Sequence, residues 1–401
     1  MIKESQLKDT NSPSSHKIGF LFGQGHGHYA QFLNFRECCP PENIDRIEWA
    51  ALQTDSSKDF WANLPGMPAG LRYRRHQLWH VQNAIRQRRD WDALFFAAMQ
   101  IRFLPFLKRY RSYLYTDFAP SGKRELAPWY DDSMRGPLPL KALKRTLDSH
   151  LHQACRGIFT MSRWAAEGVI ADYGVSPERV HTVLPGANLV HWPYVDRTDR
   201  AQGPTRILFV GGEFARKGGP FLLEWAERTQ ALGGEMDMVT WPSAVPGWIG
   251  DCLNSTDSGD PHRETRTASL APRLPGVRVH CGLKANSPAL MGLFEQADIF
   301  CLPTQADGSS IASLEAMASG LPVLAGAVGG IPELIEEGET GFLLRRGNTQ
   351  DLATKLEALI ADAALRRHIG AAARRSCETH FNVTRQMREI MTVIDQDAQT
   401  H

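Results

Sequence analysis

The sequence predicts an α/β fold made of two separately wound halves that face each other across a cleft. Short apolar runs rich in Val, Ile, Leu and Phe alternate with helical patterns, the mark of parallel strands joined by crossover helices. The polar stretch "VDRTDRAQGPTR" (195–206) interrupts that alternation with Gly, Pro and no apolar period, and the alternation then restarts. The chain is 401 residues long, enough for two or three domains that each bury a core.

In the first half, "KIGFLFG" (17–23), "DALFFAAM" (92–99) and "SYLYTDF" (112–118) are expected as buried strands. "PLKALKRTLDSHLHQAC" (139–155) has amphipathic helical spacing and leads into a strand at "GIFTMS" (157–162). A helix at "RWAAEGVIADYG" should end on Gly174, with strand and turn following in "VHTVLPGAN" (180–188). In the second half, strands are expected at "RILFV" (206–210), "GEMDMVTW" (234–241), "VRVHCG" (277–282) and "DIFCLPT" (298–304). Helices are expected from Pro220, over "ALMGLFEQA" (289–297), and from an Asn348/Thr349 cap onward. Residues 242–276 show little periodicity and are expected as a long loop.

Composition narrows the function. Apolar residues make up 42% and the net charge is +1, so nothing marks a general polyanion binder, and no nucleic-acid recognition module is visible. Seven cysteines without CxxC or Cys/His spacing fit reduced thiols in a cytosol. The expected setting is therefore cytoplasmic. Residues 1–16 lack an apolar core and are expected as a mobile tail, not a signal peptide. The stretch 72–111 interleaves cations such as Arg72, Arg88 and Arg109 with Trp79, Trp91 and Phe103. It suits solvated helix faces around a buried stripe, or peripheral contact with an inner membrane surface.

The loops after the strands carry the chemistry. In "FVGGEFARKGGPF" (209–221), Gly211 and Gly212 allow close backbone approach, while Arg216 and Lys217 precede a helix start that already favours anions. Cations there repel the helix end, so an anion between them would compensate. The loop is not a Walker A motif, because Gly218 follows Lys217. In "LPTQADGSSIASLEAMASG" (302–320), Asp307 and Glu315 flank Gly308, Ser309 and Ser310 ahead of a helix. A carboxylate at Glu315 can accept two hydroxyl hydrogen bonds, which suits a vicinal diol. Alternatively, Asp307 is a helix cap and Glu315 a solvated helix residue. A third loop, "AGAVGGIPELIEEGETGFLL" (325–344), places Gly329 and Gly330 before a helix near Pro332, with Glu333 in its first turn. A fourth, "FGQGHGHY" (22–29), offers Gly25 to a diphosphate from the other half. His26 and His28 lack a third ligand, and Asp395-Gln396-Asp397 has no preceding strand, so the first pair is expected as surface and the second as solvated. No metal and no cofactor are expected.

The stretch 298–344 resembles the donor-site signature of family 4 retaining glycosyltransferases. "ILFVGGEFARKGG" is similar to that family's phosphate loop, and "MSRWAAEGVIADYGVSPERVHTVLPGAN" to the end of its N-terminal domain. The resemblance covers roughly residues 155–381. It implies the GT-B architecture, two Rossmann-like domains around a cleft: an acceptor-side domain over 17–195, completed by a C-terminal helix at 382–401, and a donor domain over 205–381. It implies sugar transfer from a nucleotide-diphosphate sugar to the hydroxyl of a glycan or lipid-linked acceptor, with retention and without metal. The family's E-x7-E motif falls on Asp307, where Glu is usual, and Glu315, which would hold the nucleotide ribose. Ser309, Ser310 and Ile311 occupy the backbone stretch against sugar and diphosphate, and Lys217 matches the phosphate lysine. Gly212 stands where the family usually has Arg, a role Arg216 is placed to assume. Asp117 stands in the segment that often supplies a His. The implied catalytic set is therefore Asp307, Lys217 and Asp117, with Glu315, Arg216, Lys217, Gly212, Gly308, Ser309, Ser310, Ile311 and Gly25 on the donor. Other readings are a glycoside hydrolase using Asp307 and Glu315, a nucleotide-sugar epimerase on the same fold, and a non-catalytic nucleotide-sugar-binding partner subunit. A dinucleotide oxidoreductase lacks its GxGxxG and ribose acid.

Overall fold

The computed structural model describes residues 16–23, 27–52, 69–86, 88, 90–97, 100–130, 138–197, 203–229, 234–255, 265–271 and 273–400. The tail at 1–15, Gly25 and His26 lie outside them, as do the side chains of Arg72 and His28.

The first half runs β1 (Ile18–Gly23), α1 (Gly27–Glu37), β2 (Ile47–Leu52), α2 (Ala69–Arg86), β3 (Ala93–Ala97), β4 (Arg111–Thr116), α3 (Pro120–Glu125), α4 (Leu138–Ala154), β5 (Gly157–Thr160), α5 (Arg163–Tyr173) and β6 (Val180–Thr182). Its six strands are all parallel, in the order β2-β1-β3-β4-β5-β6. Every residue of β1 and β3 is buried, because helices cover both faces of the sheet. Phe20 stacks on Phe95 with centroids 4.4 Å apart, and the Trp91 ring fills the space a Cβ at Gly19 would need.

The second half continues with β7 (Arg206–Val210), α6 (Gly219–Arg228), β8 (Glu235–Thr240), α7 (Gly247–Ser255), β9 (Arg266–Ser269), β10 (Val277–Cys281), α8 (Pro288–Gln296), β11 (Ile299–Leu302), α9 (Ile311–Ala318), β12 (Val323–Gly326), β13 (Gly341–Leu344), α10 (Thr349–Ala361), α11 (Ala363–Thr379) and α12 (Val383–Thr400). The seven strands lie in the order β13-β12-β11-β7-β8-β10-β9, all parallel except β9, which pairs antiparallel with β10. The first strand of each half sits inside its sheet, so strand order reverses beside it. Ligands in such sheets bind outside the carboxyl ends of the strands at that reversal. In the second sheet the flanking strands are β7 and β11, and the two loops singled out above leave their ends.

Three local expectations differ from the structure. The segment 242–276 carries α7 and the edge strand β9. Both are short, and β9 alternates Thr267 and Ser269 with Ala268, too little apolar content to signal a strand. The residues near Pro332 form a single 3-10 turn, Ile331–Glu333, and no α-helix. In the basic stretch 72–111, Trp91, Phe103 and Tyr110 are core residues, while Trp79 is exposed. Its aromatic content therefore reflects packing for the most part.

The chain crosses between the halves twice. Trp192 packs on Phe294 of α8, with centroids 4.6 Å apart, before the polar linker begins. At the far end Phe381 belongs to the second core, while Val383, Met387, Ile390, Met391 and Ile394 of α12 pack into the first. Asp395 and Asp397 of α12 are engaged and not merely solvated. Asp395 forms a two-pronged pair with the buried Arg46 at 2.5 and 3.1 Å, and Asp397 accepts from Tyr113 Oη at 2.7 Å and Arg156 Nε at 3.3 Å. Removing one member of a buried pair strands the other charge. Asp395→Ala should therefore lower stability by about 1–3 kcal/mol, read as a lower urea midpoint at unchanged m-value. An unchanged midpoint would show that α12 is held by its apolar face alone.

Candidate functional site

The loop after β11 is built around the mouth of α9. Ser310, not Asp307, is the N-cap: its Oγ accepts from Ser313 N at 3.2 Å and lies 2.7 Å from Ser313 Oγ. Among the described residues, no acceptor meets the amides of Ser309, Ser310, Ile311 and Ala312. Ser309 Oγ is buried and unpartnered. Four amides at the positive end of the helix are thus left without acceptors among the described residues, an arrangement suited to an anion.

Glu315 lies one turn further along and is 5% exposed, so it is not a solvated helix residue. Among the described residues no side-chain or backbone donor reaches its carboxylate, and burial pushes its pKa up to about 8. A buried carboxyl without a donor is costly unless something supplies one.

The loop after β7 contributes side chains more than amides. Gly218 N donates to Ala215 O, Gly219 N to Phe214 O and Phe221 N to Gly218 O, while Pro220 has no N–H. The start of α6 is therefore closed, contrary to the expectation that it would offer its own amides. Nor do the two cations wait uncompensated for an anion. Lys217 Nζ pairs with Asp307 Oδ2 in a very short contact. Arg216 is 8% exposed; its Nε donates to Glu213 at 2.5 Å, and its Nη1 donates to Ala306 O at 2.5 Å and Tyr130 Oη at 2.7 Å. Burial works against the Arg216 charge, but Glu213, Tyr130 and Asp307 outweigh it and raise its pKa. Gly212 faces the Trp241 indole, whose atoms come within 2.3 Å of where its Cβ would be. Gln305 N donates to Arg216 O at 2.8 Å and stitches the two loops together.

The first half closes on this site. A Cβ at Gly308 would lie 2.8 Å from both the Asp117 carbonyl and the Phe118 ring, so the end of β4 rests on the loop after β11. Gly330 sits against Ser162 and the Gly308 carbonyl. Glu333, read from sequence as a first-turn helix residue, instead reaches across and caps α5: it accepts from Arg163 N at 2.9 Å and Trp164 N at 3.0 Å. Arg346 donates to the Glu125 and Ala127 carbonyls. The structure thus brings Asp307, Lys217, Arg216, Gly308, Ser309, Ser310, Ile311, Glu315 and Asp117 into one region. Tyr130, Phe118, Glu213 and Glu333 were missed as site residues. Of these, Glu213 was legible as an acid three residues before Arg216. Among the described residues, no group of three or more His, Cys, Asp or Glu side chains is placed to hold a metal, and no helix is long and apolar enough to cross a membrane.

Comparison with known proteins agrees with this fold. Over almost its whole length the chain superposes on sucrose-phosphate synthase from Thermosynechococcus elongatus, with TM-score 0.73 at 14% identity, covering 96% of this chain and 100% of that one. It superposes similarly on Anabaena HepE in complex with UDP-glucose, with TM-score 0.66 at 16% identity over 94% and 99% of the two chains. The fold is GT-B, with two Rossmann-like domains, as the sequence implied. Residues 258–376 match the model of the glycosyl transferases group 1 family. The D-inositol 3-phosphate glycosyltransferase of Corynebacterium aurimucosum is 31% identical over 214 residues, 51% of this chain and 48% of its own. The sulfoquinovosyl transferase SQD2 of Arabidopsis thaliana is 42% identical over 90 residues, 22% of this chain and 18% of its own. The chain thus matches about half, or less, of the length of these curated relatives.

The Glu315 pKa has a measurable consequence. In the unfolded chain a Glu ionises near 4.3, whereas in the ligand-free fold Glu315 stays protonated to about 8. The folded state therefore binds the extra proton between those values, and stability falls as pH rises through that window. Between pH 5 and 8 the melting temperature of Glu315→Gln should fall less than that of the parent. Parallel pH profiles would show that this carboxyl is not held protonated.

Proposed function

We propose that the protein is a retaining glycosyltransferase that moves a sugar from a nucleoside-diphosphate sugar to an acceptor hydroxyl without a metal ion. One observation carries this reading: at the mouth of α9, unpartnered amides stand one helical turn from a buried carboxyl that has no donor. A diphosphate needs donors, and a ribose diol supplies them. A nucleoside diphosphate laid along α9 satisfies both.

In this reading the ribose hydroxyls donate to Glu315, and the diphosphate lies against the amides of Ser309, Ser310, Ile311 and Ala312. Lys217 exchanges part of its contact with Asp307 for a phosphate oxygen. Asp307 then turns to the hydroxyls of the donor sugar, at the shorter reach of an Asp. As the anomeric carbon–phosphate oxygen bond breaks, negative charge grows on the diphosphate, where the amides and Lys217 are already oriented to stabilise it. The acceptor oxygen forms its bond to the anomeric carbon on the same face, and its proton passes to the leaving phosphate oxygen. Asp117, at the end of β4, faces this region from the acceptor side. The UDP-glucose in complex with HepE supports a uridine diphosphate sugar as the first candidate. The name of the Corynebacterium relative puts a polyol phosphate among the acceptors to try.

A melting-temperature screen against uridine-, guanosine- and adenosine-diphospho sugars should give a clear rise with one nucleotide, since a ligand bound only by the folded state stabilises it. By calorimetry, Glu315→Ala should weaken that nucleotide about tenfold, the range for a hydrogen bond between neutral groups, and Lys217→Ala about 10- to 100-fold, the range for a hydrogen bond to a charged group. Unchanged affinity in both variants would end the site assignment. Sugar transfer to an acceptor separates a transferase from an epimerase, which converts the donor alone, and from a binding subunit, which leaves it intact.

A further inference from the structure

The donor site as described is supplied almost wholly by the second domain, yet one first-domain side chain reaches into it. The Tyr130 hydroxyl lies 2.7 Å from Arg216 Nη1, and its ring lies 5.0 Å from the Arg216 guanidinium carbon. Phe118 packs edge-on against that ring, with centroids 4.8 Å apart, and Phe118 itself lies against Gly308 of the donor loop. Asp307, Arg216, Asp117 and Glu213 all lie close enough to act on the charge of the Tyr130 hydroxyl. The hydroxyl therefore sits among the cation of one loop, the acid of the other and the acid at the end of β4.

Its hydrogen-bond inventory is incomplete. A guanidinium only donates, so Tyr130 must accept from Arg216, and its own O–H is left to donate. No acceptor for that proton appears among the described residues. The nearby carboxylates are engaged elsewhere, Glu213 by Arg216 and Asp307 by Lys217. Accepting from a cation makes the O–H a stronger donor toward an anion. On Arg216 one edge is committed to Glu213, Ala306 and Tyr130, while Nη2 has no partner among the described residues.

We propose that Tyr130 is the first domain's contribution to the diphosphate site, donating its hydroxyl to an oxygen of the terminal, sugar-bearing phosphate beside Arg216. This rests on the donor-site reading above and adds a residue that no resemblance supplied. The ring, clamped by Phe118 and Arg216, positions the hydroxyl. The contact also ties donor binding to the docking of the two domains, because the two halves of the phosphate grip come from different domains.

The test compares nucleoside monophosphate with diphosphate, using the nucleotide identified by the melting screen. Tyr130→Phe keeps the ring and removes only the hydroxyl. Calorimetry should show diphosphate affinity reduced about tenfold with monophosphate affinity unchanged, since only the diphosphate carries the terminal phosphate. Turnover should fall on the order of 10²-fold in kcat, the effect of losing one oxyanion donor, with a smaller change in donor KM. A packing role would shift both nucleotides alike, and Tyr130→Ala serves as that control. If Tyr130→Phe leaves the diphosphate-to-monophosphate ratio unchanged, the assignment of Tyr130 is overturned while the donor site stands. If the parent protein binds no nucleoside diphosphate, both fall.

Discussion

The site depends on backbones approaching closer than any side chain permits. A Cβ at Gly329, which has φ 55°, would lie 2.0 Å from the Asp307 carbonyl, and one at Gly308 would lie 2.8 Å from the Asp117 carbonyl. Real Cβ contacts do not occur at such distances, so an alanine at either place would push whole loops apart. That contact sets the spacing between the loops after β11 and β12 and the end of β4. It thereby places the mouth of α9 opposite the first domain. Asp307, Lys217 and Tyr130 take their positions from this stack, and their side-chain chemistry is secondary to it.

Charge balance at the site follows a consistent pattern. The two cations of the loop after β7 each have a carboxylate: Lys217 has Asp307 and Arg216 has Glu213. The helix start of α5 has Glu333. These acids occupy places where an anionic ligand would sit or press. On the proposed function, binding a diphosphate is then an exchange of partners among charged groups and not the filling of a bare positive hole. Coulomb energy gained with the ligand is offset by energy lost within the chain, which favours moderate affinity and ready product release. The amides of Ser309 to Ala312 and the Glu315 carboxyl are exempt from this exchange, because nothing in the chain satisfies them.

The fold class and the principal site loops were legible in the sequence, for physical reasons. Strands buried on both faces give continuous apolar runs, as in "IGFLFG" and "DIFCLP", and these mark the sheet centres. Gly-rich turns at strand ends gave the loops after β7 and β11. What stayed hidden depends on contacts between distant segments. The capping of α5 by Glu333 joins residues 170 positions apart, and no local pattern distinguishes it from a first-turn acid. Tyr130 sits in a stretch without periodicity, 86 positions from the arginine it meets. The closed start of α6 and the engaged acids of α12 were misread for the same reason: partners for amides and carboxylates are chosen by tertiary structure. Edge strand β9 was missed because a short half-exposed strand carries almost no apolar signal.

The return of α12 to the first core makes the two lobes unequal in how they are written along the chain. The second lobe is one uninterrupted segment that can fold as soon as it is made. The first lobe is split, its opening two hundred residues left with an uncovered apolar face until Val383, Met387 and Ile390 arrive. During synthesis the earlier lobe therefore finishes last. Loss of the final turns would fall on the packing of the first lobe, leaving the core of the second largely in place.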